Sequence, residues 1–335
     1  MLKGKSKIAL ILGGISPERE ISLETGRAML NALKDLDWPY ILIDPAYGNK
    51  QDYSEDFYFE NKKLDEISPF NYLKCINSSF FEDVKFALIA LHGVYGEDGY
   101  IQSLLDLRGI PYSGSGVIPS ALAMDKSVSK IMFQHFNVNI PNWFLVKKRN
   151  FDLQLTLNKI EKFFGYPCIV KPNNQGSTIG LSKCDTQNEV QPAFEKAFKY
   201  GEKVLVEKFI EGREIAVTII GKKVLPILEI IPKHKIYDYD CKYLNGMSNY
   251  IVPAKLPPDI TKLLERQALL AFQSLGCKSY GRVDFRLSTE NKTFCLEVNT
   301  LPGMTSHSLV PKMAAAEGIS FKSLIKKIIE DGIHP

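Results

Sequence analysis

Short apolar runs alternate with amphipathic segments over the first third of the chain. KIALILGG, starting at Lys7, reads as a buried strand closed by Gly13 and Gly14, and ISLETGRAMLNALKDL then repeats apolar residues at helical spacing. YILIDPAY reads as a second strand, and VKFALIALHGVYGEDG opens with a third before a helix through IQSLLDLRG. Strand and helix in alternation predict an α/β fold that begins with a parallel, doubly wound, Rossmann-like sheet. The polar and aromatic segment from Asn49 to Ser79 follows neither period. GIPYSGSG, Gly109 to Gly116, concentrates small residues as a boundary does, and a helix follows through SALAMDKSVSKIMFQHF. Beyond it come a strand in YPCIVKP, a glycine loop, a helix and a strand in KVLVEKFI. EIAVTII, two further strands and a C-terminal helix complete the chain.

Those last two strands carry the first chemical signal. In GRVDFRL, Gly281 to Leu287, Val283, Phe285 and Leu287 alternate with Arg282, Asp284 and Arg286. In the next strand Phe294, Leu296 and Val298 should share the apolar face while Cys295, Glu297 and Asn299 share the other. STENK, from Ser288, is a turn between them, so pairing as a hairpin would bring Asp284, Glu297 and Asn299 together with Arg282 beside them. Two carboxylates in one small volume are costly unless a cation neutralises them, and oxygen ligands without His or Cys suit magnesium. A single polar pair would read as a solvated sheet face. Two neighbouring strands followed by Gly-Met-Thr-Ser-His-Ser favour the metal.

CIVKPNNQGSTIGLSK, Cys168 to Lys183, sets Lys171 before a loop holding Gly176, Ser177, Thr178 and Gly180. Glycine amides and two hydroxyls suit phosphate oxygens. The loop is not a Walker A motif, and GSGVIP fails the dinucleotide fingerprint at its last glycine. Alone it reads equally as an ordinary hairpin. With the acidic hairpin it completes a metal-nucleotide site whose two surfaces come from separate segments. Ser16-Pro17-Glu18 reads as a helix start, which leaves Glu18 either a cap or a ligand. His92, after an apolar strand, is either a structural hydrogen bonder or part of the site.

Composition narrows the classes. At 335 residues, 45% hydrophobic and 24% charged, the chain has room for two or three globular domains. A formal charge of +4 with dispersed lysines offers no nucleic-acid stripe. The apolar run Ile8 to Leu12 is shorter than the ~7 to 15 residues of a signal peptide core, and no stretch approaches the ~20 needed to span a bilayer. The six cysteines, at 75, 168, 184, 241, 277 and 295, include no CxxC pair and read as reduced core residues, so a cytoplasmic protein is expected.

GGISPEREISL, ALHGVYGEDGYIQ, PYSGSGV, AMDKSVSK, IVKPNNQGSTIG, VEKFIEGRE, YDYDCKY, GRVDF and LEVNTLPGMTSHSL together resemble the ATP-grasp superfamily. Within it they are similar, in the same order and over nearly the whole chain, to the D-alanine–D-alanine ligase family. The resemblance implies a Rossmann-like substrate domain over 1–117, a central ATP-grasp subdomain over 118–212 and a C-terminal ATP-grasp subdomain with the metal site over 213–335. It implies ATP held by Lys126 and Lys171 at the phosphates, with Gly176, Ser177 and Thr178 above them and Glu207, Lys208, Ile210 and Glu214 around adenine and ribose. Asp284, Glu297 and Asn299 match ligands of two magnesium ions, with manganese as an alternative. Glu18 matches the residue that orients the first D-alanine, with His92 near it. Ser308 and Leu309 match those receiving the second substrate's carboxylate, and Arg282 with the Gly303 amide those stabilising an oxyanion. Ser177 and Tyr243 would link to Glu18 and hold a lid on which Lys242 reaches the transferring phosphate. A homodimer binding D-alanine and ATP, and neither nucleic acid nor membrane, is implied.

The chain departs from the family at Gln175, where a glutamate is common, and at Tyr100, where a smaller residue is expected. The implied chemistry is an acyl phosphate formed from one D-alanine and captured by the amine of a second, for peptidoglycan precursor synthesis. Other readings are an ATP-grasp ligase with another acceptor, such as D-lactate or D-serine, and a catalytically silent nucleotide sensor. Intact Asp284, Glu297, Asn299 and Arg282 weigh against the sensor.

Overall fold

The computed structural model describes residues 6–60, 64–234, 237, 241–242 and 246–333. Strands β1 (Lys7–Ile11), β2 (Tyr40–Ile43) and β3 (Val84–Ile89) form the expected parallel sheet, in the order β2-β1-β3. Their unbroken apolar runs are buried, as strands covered on both faces require. The helix Arg19–Asp35 makes the crossover from β1 to β2 and buries Met29, Leu30 and Leu33. Because β2 and β3 flank β1, the carboxyl ends of β1 and β3 open onto a topological switch point, the place where such sheets hold ligands. Gly13, Gly14 and His92 lie just beyond those ends.

The segment without a readable period contains two short helices, Glu55–Phe59 and Asn71–Ile76. Each is too short for a helical period to show. Polar contacts hold the region instead: the buried Tyr58 hydroxyl donates to the Leu42 carbonyl at 2.7 Å, and Gln51 Oε1 accepts from Asp44 N at 2.8 Å.

Strands β4 (Trp143–Lys147), β5 (Cys168–Pro172), β6 (Ser182–Cys184) and β7 (Lys203–Lys208) form an antiparallel sheet in the order β4-β7-β5-β6. The helices Leu153–Phe163 and Val190–Ala197 bury Ile160, Val190 and Phe194 against it. The glycine loop joins β5 to β6, so it is a hairpin connection as well as a candidate phosphate loop.

Strands β8 (Gly212–Ile220), β9 (Lys223–Val224), β10 (Leu228–Pro232), β11 (Ser248–Ile251), β12 (Tyr280–Ser288) and β13 (Thr293–Asn299) form a second antiparallel sheet. Its order is β11-β10-β8-β12-β13, with β9 on β8. The helix Pro258–Ser274 packs on β8, β12 and β13. The helix Phe321–Ile333 returns to the first sheet, where Leu324, Ile325, Ile328 and Ile329 are buried against β3 and the Arg19–Asp35 helix.

The expected hairpin of β12 and β13 forms, with one correction to its faces. Asp284 lies opposite Glu297, but Phe285 lies opposite Cys295, so Leu296 is an extra residue on β13. A bulge reverses the alternation on one strand only. Cys295 therefore joins Val283, Phe285 and Val298 in the core instead of sharing the face of Glu297. All six cysteines are buried, and among the described residues no helix is long and apolar enough to cross a membrane.

Candidate active site

The β12–β13 register places Asp284 opposite Glu297 and Arg282 opposite Asn299, as the alternation predicted. Arg282 holds Asp284 with a two-pronged contact, Nε to Oδ1 at 2.7 Å and Nη2 to Oδ2 at 2.8 Å. Lys126 Nζ lies 3.2 Å from Glu297 Oε2. Burial works to raise the Glu297 carboxyl, but Lys126, Lys171 and Lys242 outweigh it and hold the group well below the usual carboxylate range. Among the described residues no three His, Cys, Asp or Glu side chains group as a metal centre. The donor set consists of two carboxylates and the Asn299 amide, all oxygen, which fits magnesium and lacks the Cys and His ligands characteristic of zinc. Both carboxylates are balanced here by protein cations, contacts that a divalent ion would displace.

A cavity lies between the two antiparallel sheets. Ile169, Leu181, Ile210 and Leu296 give it an apolar lining, and Lys171, Thr178, Glu207, Lys208 and Glu214 add polar groups. Leu296 reaches it because of the bulge. Lys126 and Lys130 stand one helical turn apart on the helix Lys126–His135, so both face the sheets. Asp125 caps that helix, accepting from Val128 N at 3.1 Å, and Asn173 beyond β5 donates to the same carboxylate at 2.7 Å. The hinge from β7 to β8 is held by Arg286, which donates to the carbonyls of Ile210 at 2.9 Å and Gly212 at 2.8 Å and pairs with Glu214 at 3.2 Å. Gly212 has φ +137, and a Cβ there would meet the Leu287 carbonyl oxygen at 2.1 Å, so this crossing needs glycine.

Glu207 is 3% exposed and meets a lysine at each oxygen: Lys171 at 2.5 Å and Lys130 at 2.9 Å. Burial opposes its ionisation, but Lys130 and Lys171 outweigh that and hold the carboxyl at about 2, against an ordinary 4.5. Unfolded chains therefore take up the proton first as pH falls. The stabilisation is complete above about 4.5 and is lost as pH falls towards about 2. Glu207→Gln is expected to lower stability near neutral pH by about 3–5 kcal/mol, since it strands a buried lysine. Thermal unfolding of both proteins across the acid range should show the gap to wild type narrowing only below about pH 4.5.

The second cavity lies at the switch point of the parallel sheet. Glu18, His92, Ser177, Arg282, Gly303, Ser308 and Leu309 line it together. Glu18 stands at the start of the Arg19–Asp35 helix, yet its side chain does not cap it; Ser16 Oγ accepts from Glu18 N at 3.1 Å instead. The freed carboxylate accepts the Ser177 hydroxyl. This contact joins the first sheet's loop to the glycine loop, and a Cβ at Gly176 would meet Glu18 Oε2 at 2.9 Å. Ser177 and Thr178 take left-handed φ values of 47° and 60°, a strain met at ligand-binding loops. Burial, then Glu97, raises the Glu18 carboxyl above its ordinary value despite His92, Ser177 and Lys242. His92 does both things its sequence context allowed. Nε2 lies 3.0 Å from Thr25 Oγ1 and Nδ1 lies 3.5 Å from Glu97 Oε1, while the ring lines the cavity. Burial works to lower the imidazole, but Glu97 and Glu18 outweigh it and raise it. The Glu18 and Glu97 carboxylates clustered beside His92 suit an incoming ammonium group. Opposite them, Ser308 precedes the helix Leu309–Ala316, whose N-terminus suits a carboxylate.

The two cavities share Lys126, Gly176, Tyr237, Lys242 and Glu297. Tyr237 was not singled out in the sequence, although it stands in YDYDCKY; Lys242 Nζ lies 5.4 Å from its ring centre. Glu97, Phe209, Leu296 and Arg286 were also missed as lining or supporting residues. Tyr243 lies outside the described residues. At the two departures, Gln175 donates to the Tyr200 carbonyl at 3.2 Å while its own carbonyl accepts from Lys126 at 2.7 Å. Tyr100 is exposed and packs its ring 4.9 Å from that of Tyr95.

Comparison with known proteins agrees with this geometry. Residues 7–115 match the family model described as D-ala D-ala ligase N-terminus, and residues 132–330 the one described as D-ala D-ala ligase C-terminus. A D-alanine–D-alanine ligase of Nitrosospira multiformis is 41% identical over 96% of this chain and 95% of its own length. That of Pelotomaculum thermopropionicum is 39% identical over 97% and 96%. Among solved structures, D-alanine–D-alanine ligase from Bacillus anthracis superposes with TM-score 0.79 at 33% identity, covering 98% of this chain and 97% of that one. The same enzyme complexed with ATP gives 0.77 at 32% identity, covering 99% and 98%. With both halves matched in order and two cavities meeting at a lysine-rich junction, the chain belongs to the D-alanine–D-alanine ligase family of the ATP-grasp fold.

Proposed function

We propose that the chain is an ATP-dependent, ADP-forming ligase that joins two D-alanine molecules into D-alanyl-D-alanine for peptidoglycan precursor synthesis. The observation that carries this reading is the shared wall of the two cavities, where Lys126, Gly176, Tyr237, Lys242 and Glu297 face both. A nucleotide in one cavity would point its terminal phosphate at a carboxylate in the other. Ile169, Ile210 and Leu296 would cover the base, with Glu207, Lys208 and Glu214 at its polar edge and the ribose. Lys126, Lys171 and the Gly176–Thr178 loop would hold the phosphates.

In the first step the carboxylate oxygen of one D-alanine attacks the γ-phosphorus and ADP leaves, giving an acyl phosphate. Glu18 pairs with the ammonium group of that D-alanine, and Lys242 faces the transferring phosphate. In the second step the neutral amine of another D-alanine attacks the acyl carbon, a proton is lost and phosphate leaves. The Leu309–Ala316 helix start, with Ser308, orients the second carboxylate, and Arg282 with the Gly303 N–H stabilises the oxyanion. Asp284, Glu297 and Asn299 would hold magnesium, which supplies charge neutralisation at the phosphates. The Glu18–Ser177 contact closes the loop over the junction and keeps water from the acyl phosphate.

A cytoplasmic homodimer is the setting this reading implies. Phe70, Leu73, Tyr100 and Leu107 support self-association, being exposed on or beside two helices that pack together. Competition between D-alanine and D-lactate at neutral pH, with mass analysis of the products, tests the acceptor. The dipeptide is expected to dominate and phosphate release to require D-alanine. A dominant depsipeptide overturns the acceptor assignment, and ATP binding without any joined product overturns the ligase reading.

A further inference from the structure

Three cations of the site are held on carboxylates in this structure: Arg282 on Asp284, Lys126 on Glu297 and Lys171 on Glu207. Two of those carboxylates belong to the oxygen set that suits magnesium, so Arg282 and Lys126 can leave them without leaving a charge alone. Glu207 is different. It stands on β7, in the other antiparallel sheet, and is almost wholly buried. If Lys171 turned from Glu207 to a phosphate, a single carboxylate would be stranded in the cavity wall, at a cost comparable to breaking a buried ion pair.

Lys130 removes that difficulty. Its side chain is 0% exposed, its Nζ lies 2.9 Å from the Glu207 oxygen that Lys171 does not touch, and it lines neither cavity. A fully buried lysine is rare without a fixed counter-charge. Glu207 is that counter-charge, and the cluster Lys130–Glu207–Lys171 carries one positive charge more than it needs. We propose that Lys130 is a positioning residue for nucleotide binding: as the permanent partner of Glu207, it frees Lys171 to move to a phosphate group while leaving a neutral pair behind. This rests on the reading of the inter-sheet cavity as the nucleotide site. The sequence carried the hint in the four-residue spacing of Lys126 and Lys130, which puts both on one helix face.

The test compares Lys130→Met, Lys130→Arg, Glu207→Gln, the double variant Lys130→Met with Glu207→Gln, and Lys171→Ala, by calorimetric binding of ATP with magnesium and no D-alanine. Steady-state kinetics follow on the same proteins. Lys130→Met should weaken ATP binding by about tenfold or more, since Glu207 then keeps Lys171, while KM for D-alanine stays within about twofold. Lys130→Arg should restore most of the affinity, and the double variant should bind ATP within about twofold of Glu207→Gln alone, a comparison that carries the loss of the Glu207 contact on both sides. A merely structural lysine would lower the melting temperature of Lys130→Met without changing ATP affinity well below the melt. Wild-type affinity in Lys130→Met beside a loss in Lys171→Ala overturns the proposal, as does a double variant that binds ATP more than about twofold more weakly than Glu207→Gln alone. Wild-type affinity in Lys171→Ala overturns instead the reading of the cavity. Should Lys130→Met not fold, the comparison of Glu207→Gln with the double variant still decides. With no carboxylate to balance, the further loss should stay under about twofold, and a larger one overturns the proposal.

Discussion

Glu297→Gln is expected to reduce turnover on the order of a thousandfold while the chain stays folded. The substitution keeps the size of the side chain and one oxygen acceptor, and removes only the charge. In this structure that charge faces Lys126, Lys171 and Lys242, so Glu297 is held ionised far below neutral pH and is available at any working pH. Removing it does not strand Lys126, whose Nζ also donates to the Gln175 carbonyl at 2.7 Å. The fold should therefore tolerate the change, as circular dichroism and thermal unfolding will report. Binding of a divalent ion should not tolerate it, because Asp284 remains as the only charged donor of the set, beside two neutral amides. Phosphate release and dipeptide formation measured over a range of magnesium concentrations provide the check. Wild-type turnover at low magnesium would remove Glu297 from the metal site.

The regular parts of this site were legible because each rests on a short, local period. Val283, Phe285 and Leu287 alternate with Arg282, Asp284 and Arg286 without interruption, and β12 keeps that alternation from Gly281 to Ser288. Its partner strand was legible only in part. The period of two runs straight through Phe294 to Val298, so nothing local shows that Leu296 is the extra residue of a bulge. What reveals it is the pairing, through Cys295 meeting Phe285 and Glu297 meeting Asp284. The bulge lets adjacent residues of β13 serve one cavity, Leu296 with its methyl groups and Glu297 with its carboxylate.

Long-range pairs were illegible for a different reason. Ser177 and Glu18 are 159 positions apart, and neither residue type specifies the other. Their link was expected only from resemblance to the family. Lys130 marks the opposite limit. Its helix and face could be read from the spacing, but its complete burial could not, since lysine is nearly always exposed and only the nearness of Glu207 makes burial affordable. Glu55–Phe59 and Asn71–Ile76 could not be read because a helix of one or two turns has no period to detect.

Arg282→Lys is expected to lower kcat by about a hundredfold or more with a much smaller change in KM for ATP. The guanidinium grips both oxygens of Asp284 with Nε and Nη2 in a planar fork, a geometry an ammonium cannot reproduce. Charge is conserved in the variant, and position 282 still has Asp284 two residues along the same face of β12, so neither folding nor the net charge of the site explains a loss. What is lost is direction. In the reading above, a cation that takes Asp284 frees the N–H groups of Arg282, which lines the substrate cavity with Gly303, to point at the oxygen that gains charge as the amine attacks. A flexible ammonium supplies charge without fixed donors, and fixed donors are what distinguish the transition state from the bound substrates. Initial rates with each substrate varied in turn separate the possibilities. A fall confined to kcat places Arg282 at the developing oxyanion. An unchanged kcat with KM for D-alanine raised makes it a binding residue for the ground state alone, and the second step would then need another source of charge stabilisation at Gly303.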